Sequence, residues 1–520
     1  MTNGRSSKKY DVIVIGAGHN GLTTAAFLAG RGRKVIVLEQ RDVLGGLACS
    51  EEFHPGYRSP GVLHDTSSVR HGLIKSLNLA SHGLSLDPEP PAIHAPVKDG
   101  NGLSLHHDAQ KAAREIAKHS EHDAERYSEY RAFVDRVRGF VNGVFDESPP
   151  GLGTIDARTF WPVMKKGLGF RRLGKHDAVE LFRIIPMSLA DWLDEWFETD
   201  RLKTLLAAPA IRGAFVGPRS PGSAINLLLW ECRKGPSVKG GPGALVTALE
   251  AAAGGAGAKI RTSARVKEIG ISEGKVTGVT LDDGETIDGA VVAASVDPKT
   301  IFLKLLPVAA ITEKFAQRIA NYRAKGTTAK VDIALRQKIE VGGNAGSSVE
   351  YVRTGENLTQ VEKAFDAVKY RLCSSTPVLD VCIPSASNRD FAPDGGSSLS
   401  VLVQYAPYDL EDGWGDRQRE LLGQRVVETL ADNIPGVKES VVGLRVLTPA
   451  DLESHYGTSG GHPYHGDHAV DQLFVRPSPE CARHTTPIGG LFLCGSGSFP
   501  GGGITCAPGA LGARAILKHS

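Results

Sequence analysis

Residues 12–15 are a run of four apolar, β-branched side chains, preceded by Tyr10 and the polar Asp11. An unbroken apolar run of this length is the pattern of a strand buried on both faces of a parallel sheet. Gly16, Gly18 and Gly21 follow at once, residues 22–30 read as a helix, and residues 34–38 as a second strand. This strand–turn–helix–strand order predicts a βαβ unit at the start of the chain.

Further on the pattern changes several times. Residues 48–74 read as a loop, a strand and a short helix start, with a turn at Pro55-Gly56, and residues 76–107 as irregular and proline-rich. From 108 to 145 the chain is charged and helical, with Tyr127, Tyr130, Phe133, Val134 and Val137 on one face. A loop is expected at 149–153. Residues 177–208 predict a helix broken at Pro186 and dense in apolar residues: Leu181, Phe182, Ile185, Leu189, Trp192, Leu193, Trp196 and Phe197. Core packing is the first reading of that density, the lining of an apolar substrate cavity the second. A glycine-proline loop then leads into an apolar helix near 222–230, and Gly240, Gly241 and Gly243 open another. Residues 258–271 alternate like a strand around Val266, and 274–294 read as a hairpin turning at Asp283-Gly284, followed by a strand. Strands at 330–335, 378–383 and 399–404 and an amphipathic helix at 416–433 suggest a second sheet, the natural place for a substrate. A strand at 490–494 ends in a second glycine-rich turn, with Gly495, Gly497, Pro500 and three glycines at 501–503, before a last helix at 504–518.

This order implies an α/β protein in two lobes. A Rossmann-type lobe takes residues 8–75, 236–300 and 481–520, and an inserted α+β lobe takes 76–235 and 301–480. A chain of 520 residues exceeds the size at which one core stops growing. The net charge of +2 gives no argument for a nucleic-acid partner. The 61 glycines exceed the usual share of about 7% but fall in discrete motifs, which points to tight turns and close backbone approaches. Seven cysteines (49, 232, 373, 382, 481, 494 and 506) form no CxxC pair and no zinc spacing, so reduced thiols and a cytoplasmic location are expected and a redox-active disulfide is not. The basic lead-in MTNGRSSKK has no apolar core of a signal peptide, and no run reaches the ~18 apolar residues of a membrane span. A soluble protein is expected, with room for peripheral membrane contact.

The chemistry sits on the glycine turns. In GxGxxG, Gly16 permits a sharp turn, Gly18 lets backbone approach a pyrophosphate, and Gly21 lets the helix pack on the strand. The helix N-terminus between them, with His19 and Asn20, offers N–H groups and a positive dipole end to phosphates. Glu39, 18 residues after Gly21 and followed by Gln40, can accept hydrogen bonds from the hydroxyls of an adenosine ribose. Gly45 and Gly46 extend the phosphate-side contacts as flavoproteins need, and the C-terminal glycine turn suits a flavin ring edge. No second GxGxxG with its own acid occurs, so FAD is the expected cofactor and a nicotinamide domain is not expected. His465, in GHPYHGDH, is the first candidate for a proton acceptor, with His462 and His468 nearby and Asp467 to orient one of them. The bland alternative is a histidine-rich loop that only bonds backbone. No metal site is expected.

The motifs GAGHNGL at 16–22, VLEQRDVLGGLACSEE at 37–52, SPGSA at 220–224, KGGPGAL at 239–245, VVAASVDP at 291–298, GGHPYHG at 460–466, DQLFVRP at 471–477 and GLFLCGSGSFPGGG at 490–503 resemble, in this order, the phytoene desaturase-related FAD-dependent oxidoreductases. The nearest branch is the pyridine nucleotide-disulphide oxidoreductase domain-containing protein 2 type. The resemblance implies a glutathione-reductase-like FAD domain assembled from three segments, with Gly16, Gly18 and Gly21 at the pyrophosphate and Glu39 at the ribose. It also implies Gly45 and Gly46 near the phosphates, Val266 against adenine, and Gly495, Gly502, Gly503 and Ile504 toward the pyrophosphate and flavin ring. Leu47 stands where many relatives carry arginine, which counts against amine oxidation without excluding FAD. The implied activity is dehydrogenation or desaturation of a lipophilic small molecule, with hydride passing to flavin N5 and reoxidation by oxygen, a quinone or another acceptor. Flavin-dependent cis–trans isomerisation, amine oxidation and a non-enzymatic partner-binding role are the alternatives. Self-association, the substrate and the acceptor are not legible.

Overall fold

The computed structural model describes residues 9–97, 102–150, 157–339, 341 and 349–519. The basic lead-in at 1–8 and most of the loop expected at 149–153 lie outside them.

Strands Leu491–Leu493, Val292–Ala294, Val12–Ile15, Val35–Leu38 and Lys259–Arg261 form, in that order, one fully parallel sheet. Its centre is the opening apolar run, and because successive side chains point to opposite faces, that run feeds two cores. Val12 and Val14 join helices His19–Ala29, Gly241–Gly255 and Ala507–His519 on one face. Ile13 and Ile15 join the antiparallel strands Val266–Ser272, Lys275–Leu281 and Thr286–Asp288 on the other. Burial on both faces is why the strand carries no polar position.

The second sheet has seven strands, in the order Val441–Leu447, Thr328–Leu335, Ser397–Gln404, Val378–Cys382, Tyr351–Arg353, Ile93–Ala95 and Leu103–Leu105. Two of these fall in the stretch read as irregular. At three residues each they are too short to show periodicity, and a neighbouring strand rather than local sequence holds Ile93–Ala95 extended.

Beside this sheet lies a helical cluster, Glu121–Phe145, Gly174–Ile184, Leu189–Trp196, Asp200–Ile211 and Ala224–Arg233. Tyr127, Tyr130, Phe133, Val134 and Val137 are all buried in it, as their spacing predicts. The helical stretch at 177–208 breaks twice, not once. Besides the break at Pro186, the chain opens at 197–199, where the Asp123 carboxylate accepts the N–H groups of Glu198 (2.9 Å) and Thr199 (2.8 Å). That partner is some 75 residues away in sequence, so local pattern could not reveal it. Leu181, Leu189, Trp192, Leu193 and Phe197 pack into the cluster, and Phe182 points to solvent. Core packing is therefore the role of this stretch, and it lines neither of the cavities described below. Among the described residues no helix is long and apolar enough to cross a membrane.

Candidate functional site

Where the central strand ends, Gly16 turns the chain with φ of 93° and its N–H donates to the Leu38 carbonyl (2.8 Å). A side chain there would be strained. Gly18 caps helix His19–Ala29 and faces open space, with only the Gly45 carbonyl near a would-be Cβ, at 3.9 Å. Gly45 and Gly46, both with positive φ, run beside it. Glu39 closes the far end: its carboxylate accepts the N–H groups of Ala17 (2.8 Å) and Arg41 (3.0 Å) and is almost wholly buried.

These pieces surround a cavity of about 850 Å³, within the ~300–1,000 Å³ range of cofactor sites. Gly16, Gly18, His19, Asn20, Glu39, Gln40, Gly45, Gly46, Leu47, Val266 and His465 all line it. Gly21 and Gly495 do not, because each is used in packing. A Cβ on Gly21 would lie 2.0 Å from the Gly16 carbonyl, and one on Gly495 would lie 2.3 Å from that of Ser295. Ser496, next to Gly495, reaches the cavity and accepts a hydrogen bond from Asn20 (3.1 Å). Together with the bond from the Thr24 hydroxyl to the Gly509 carbonyl (2.9 Å), this ties the first and last glycine turns into one site.

Gly502, Gly503 and Ile504 line a second, smaller cavity of about 70 Å³ with Leu63, Asp65, Arg212, Arg233, Tyr464 and His468. Leu63 borders both cavities, and the loop at 463–465 runs between them: Pro463 and His465 face the large one, Tyr464 the small one. His19 lies against the Gly503 backbone, and burial with the neighbouring His465 pulls its pKa to about 4. Burial also holds His465 and, further, His468 below the usual imidazole range, so all three are neutral at pH 7. Their hydrogen bonds separate their roles. His462 is engaged at both nitrogens, by Asp467 (2.9 Å) and the Tyr464 N–H (3.1 Å). His468 accepts the Gly502 N–H at Nε2 (3.1 Å). His465 Nδ1 is buried with no hydrogen-bond partner among the described residues.

Sequence reasoning missed the segment 453–458, which lines the large cavity, and Arg41, whose guanidinium carbon lies 4.9 Å from the Tyr456 ring centre. Arg41 brings a cation to the wall that Leu47 leaves apolar, although it is itself paired with Glu51. No local motif marks either feature. Arg233, at the end of a helix read only as apolar, was missed as well.

A parallel sheet with glycine turns at its strand ends, joined by a second sheet and bordered by two adjoining cavities, is the arrangement of an α/β protein that binds a nucleotide cofactor. The chain belongs to the flavin-containing amine oxidoreductase family, whose model it matches over residues 21–513. It is 32% identical to pyridine nucleotide-disulfide oxidoreductase domain-containing protein 2 of Rattus norvegicus, over 99% of this chain and 94% of that one. It is 28% identical to a limonene dehydrogenase polypeptide of Castellaniella defragrans, over 98% and 95%. In fold it is similar to an oxidoreductase from Methanosarcina mazei, with a TM-score of 0.60 and 17% identity over 98% of this chain and 100% of the other. The branch that the scattered motifs pointed to is thus among its relatives, and the protein is an oxidoreductase that uses FAD. The large cavity fits that cofactor: Gly18 leaves open space at the helix N-terminus, the Gly45–Gly46 backbone turns alongside it, and Glu39 presents an acceptor at the far end.

Proposed function

We propose that the protein is an FAD-dependent dehydrogenase or desaturase that takes a hydride from a carbon of a small, largely apolar molecule held in the smaller cavity. The observation that carries this reading is the meeting of two cavities across a wall one residue thick, at Leu63 and residues 463–465. The domain reading belongs with it: a glutathione-reductase-like FAD lobe from residues 8–75, 236–300 and 481–520, and a substrate lobe from 76–235 and 301–480.

In this reading Gly16, Gly18, Asn20, Gly45 and Gly46 hold the pyrophosphate, Glu39 the ribose and Val266 the adenine, while Gly502 and Gly503 bring backbone to the ring. Bound FAD supplies the two-electron acceptor for C–H cleavage. The chain supplies placement, dryness and proton handling. Leu63, Ala210, Ala214, Leu229, Leu473 and Ile504 form the apolar side of the smaller cavity, against which the reacting carbon is held out of water. His465, neutral and with Nδ1 unpartnered, stands on the flavin side of the wall between the two cavities and takes the proton there, where the substrate carbon must meet the flavin; His468 holds the Gly502 turn instead, since its acceptor nitrogen is occupied. The name of the limonene dehydrogenase relative supports dehydrogenation of an apolar molecule.

The test is anaerobic titration of purified holoprotein with hydrophobic alkenes, alcohols and acids, and with amines, following flavin absorbance, then turnover with a dye acceptor. Bleaching by apolar substrates is expected. Bleaching by small polar amines alone would overturn the substrate class.

A further inference from the structure

The smaller cavity has a charge arrangement that hydride removal from a hydrocarbon does not need. Of its two arginines, Arg212 is neutralised: it is ion-paired with Asp380 and lies 3.7 Å from Asp65. Arg233 is not. It ends helix Ala224–Arg233, its guanidinium carbon sits 5.1 Å from the Phe145 ring centre, and its Nε and Nη2 are shielded from water with no hydrogen-bond partner among the described residues. The charged groups around it give little relief. Asp146 is committed to Arg70 (2.9 Å), and Arg476 uses its Nη2 on the Tyr322 hydroxyl and the Gly466 carbonyl, both at 2.9 Å. Burial and the neighbouring Arg70 and Arg476 lower the pKa of Arg233 to about 9, so it is still charged at pH 7.

Guanidinium donors that are shut from water and unpartnered are costly, and the cost falls sharply when an anion with matching acceptors arrives. The two unused donors are on the same edge of the guanidinium, the fork that receives both oxygens of a carboxylate side-on. The rest of the wall is mixed: Leu63, Ala210, Ala214, Leu229, Leu473 and Ile504 give it an apolar side, and Asp65, Ser68, Asn226 and Thr505 a polar one.

We propose that the smaller cavity takes a substrate whose apolar body ends in a carboxylate, and that Arg233 holds that carboxylate. The assignment rests on the reading of the large cavity as the flavin site and narrows the substrate from apolar molecules in general to acids. It disfavours amines, because an ammonium group would meet Arg233 as a like charge.

The experiment compares benzoate and butyrate with benzamide and butyramide as ligands of the holoenzyme, read by the perturbation of flavin absorbance and by fluorescence of Trp230, which lines the same cavity. The acids are expected to bind at least about tenfold more tightly than the amides. Arg233→Gln is expected to erase that difference at unchanged flavin content, and Arg233→Lys to keep part of it. Equal binding of acids and amides by the wild type, or an acid preference that survives Arg233→Gln, overturns the proposal. Should Arg233→Gln fail to fold, the wild-type ratio and the Arg233→Lys variant decide. A flavin-free protein whose Trp230 still reports acid preference would keep the anion site and overturn the flavin reading instead.

Discussion

The second and third glycines of the opening motif do different work, and alanine substitution separates them. A methyl group on Gly21 would lie 2.0 Å from the Gly16 carbonyl oxygen and 3.2 Å from Ser295 Cβ, where ordinary contact begins near 3.4 Å. Both neighbours are fixed by the parallel sheet, so helix His19–Ala29 must move by more than an ångström. Overpacking of this kind costs about 3 kcal/mol. With an unfolding entropy of about 2.1 cal/mol/K per residue, this is a fall in Tm of about 3 °C for a chain of this length. Gly18 is the opposite case. Its φ of −68° suits any residue, and only the Gly45 carbonyl lies within 4 Å of the added methyl. Gly18→Ala is therefore expected to cost the apoprotein less than about 1 kcal/mol, the price of a poorer helix cap.

The Gly18 methyl would, however, stand in the large cavity where backbone meets phosphate. Displacing one or two charge-assisted N–H contacts, each about 1.5–3 kcal/mol, weakens FAD binding by about 100-fold. Flavin-to-protein absorbance ratios, quenching titrations of apoprotein with FAD, and thermal melts with and without added flavin measure both effects. Gly18→Ala should melt like the wild-type apoprotein yet lose flavin, and Gly21→Ala should melt low even with flavin saturating. Wild-type FAD affinity in Gly18→Ala, or a wild-type melt in Gly21→Ala, would refute the assignment.

Glu39→Ala removes the acceptor of two backbone N–H groups and is expected to weaken FAD binding at least about tenfold and lower the apoprotein's stability by about 2 kcal/mol; unchanged flavin affinity would take Glu39 out of the site. Burial lowers His19, His64 and His484 to pKa values of about 4, so the unfolded chain binds more protons than the folded one between pH ~4 and ~6.5. Their contribution is complete above pH ~6.5 and is lost as pH falls through that window, by about 2 kcal/mol each on reaching pH 5. His484 lines neither cavity and is bonded at Nδ1 to the Leu493 carbonyl (2.9 Å). His484→Gln should flatten the pH dependence of urea unfolding between pH 7 and 5 by one such share, and an unchanged slope would show that this histidine is not the source. Arg212→Gln removes one of the two arginines on Asp380 and the cation beside Asp65, and is expected to cost about 3 kcal/mol in the same assay; a loss under ~1 kcal/mol would show that Arg353 alone satisfies Asp380.

What could be read from the sequence was local. The central strand, the glycine turns, Glu39 and the hairpin after Val266 each carry their signal within a few residues, and the structure places strands and helices there. Strands Ile93–Ala95 and Leu103–Leu105 exist because a sheet edge holds them, and the second break in the helices because Asp123 supplies acceptors from afar. Arg233 shows the limit most clearly. Its sequence, LLLWECRKG, reads as an apolar helix with a basic end, the arrangement that the helix dipole favours at any surface. Only the fold reveals that the nearby carboxylate is already taken and that two guanidinium donors are unused.

The glycines of GGHPYHG join these observations. A Cβ on Gly461 would collide with the Pro449 carbonyl, and one on Gly466 with the Tyr322 hydroxyl, so the loop is pressed against its neighbours at both ends. Between those ends its side chains alternate, with Pro463 and His465 toward the large cavity and Tyr464 toward the small one, where it stacks on His468 at 5.3 Å. His468 in turn holds the Gly502 N–H. A wall one residue thick, fixed at both ends, cannot yield on one side without moving on the other. A ligand that reaches Arg233 through the smaller cavity meets Tyr464, His468 and the Gly502 turn on its wall, which is why the flavin spectrum is expected to register carboxylate binding in a cavity that the large site does not include.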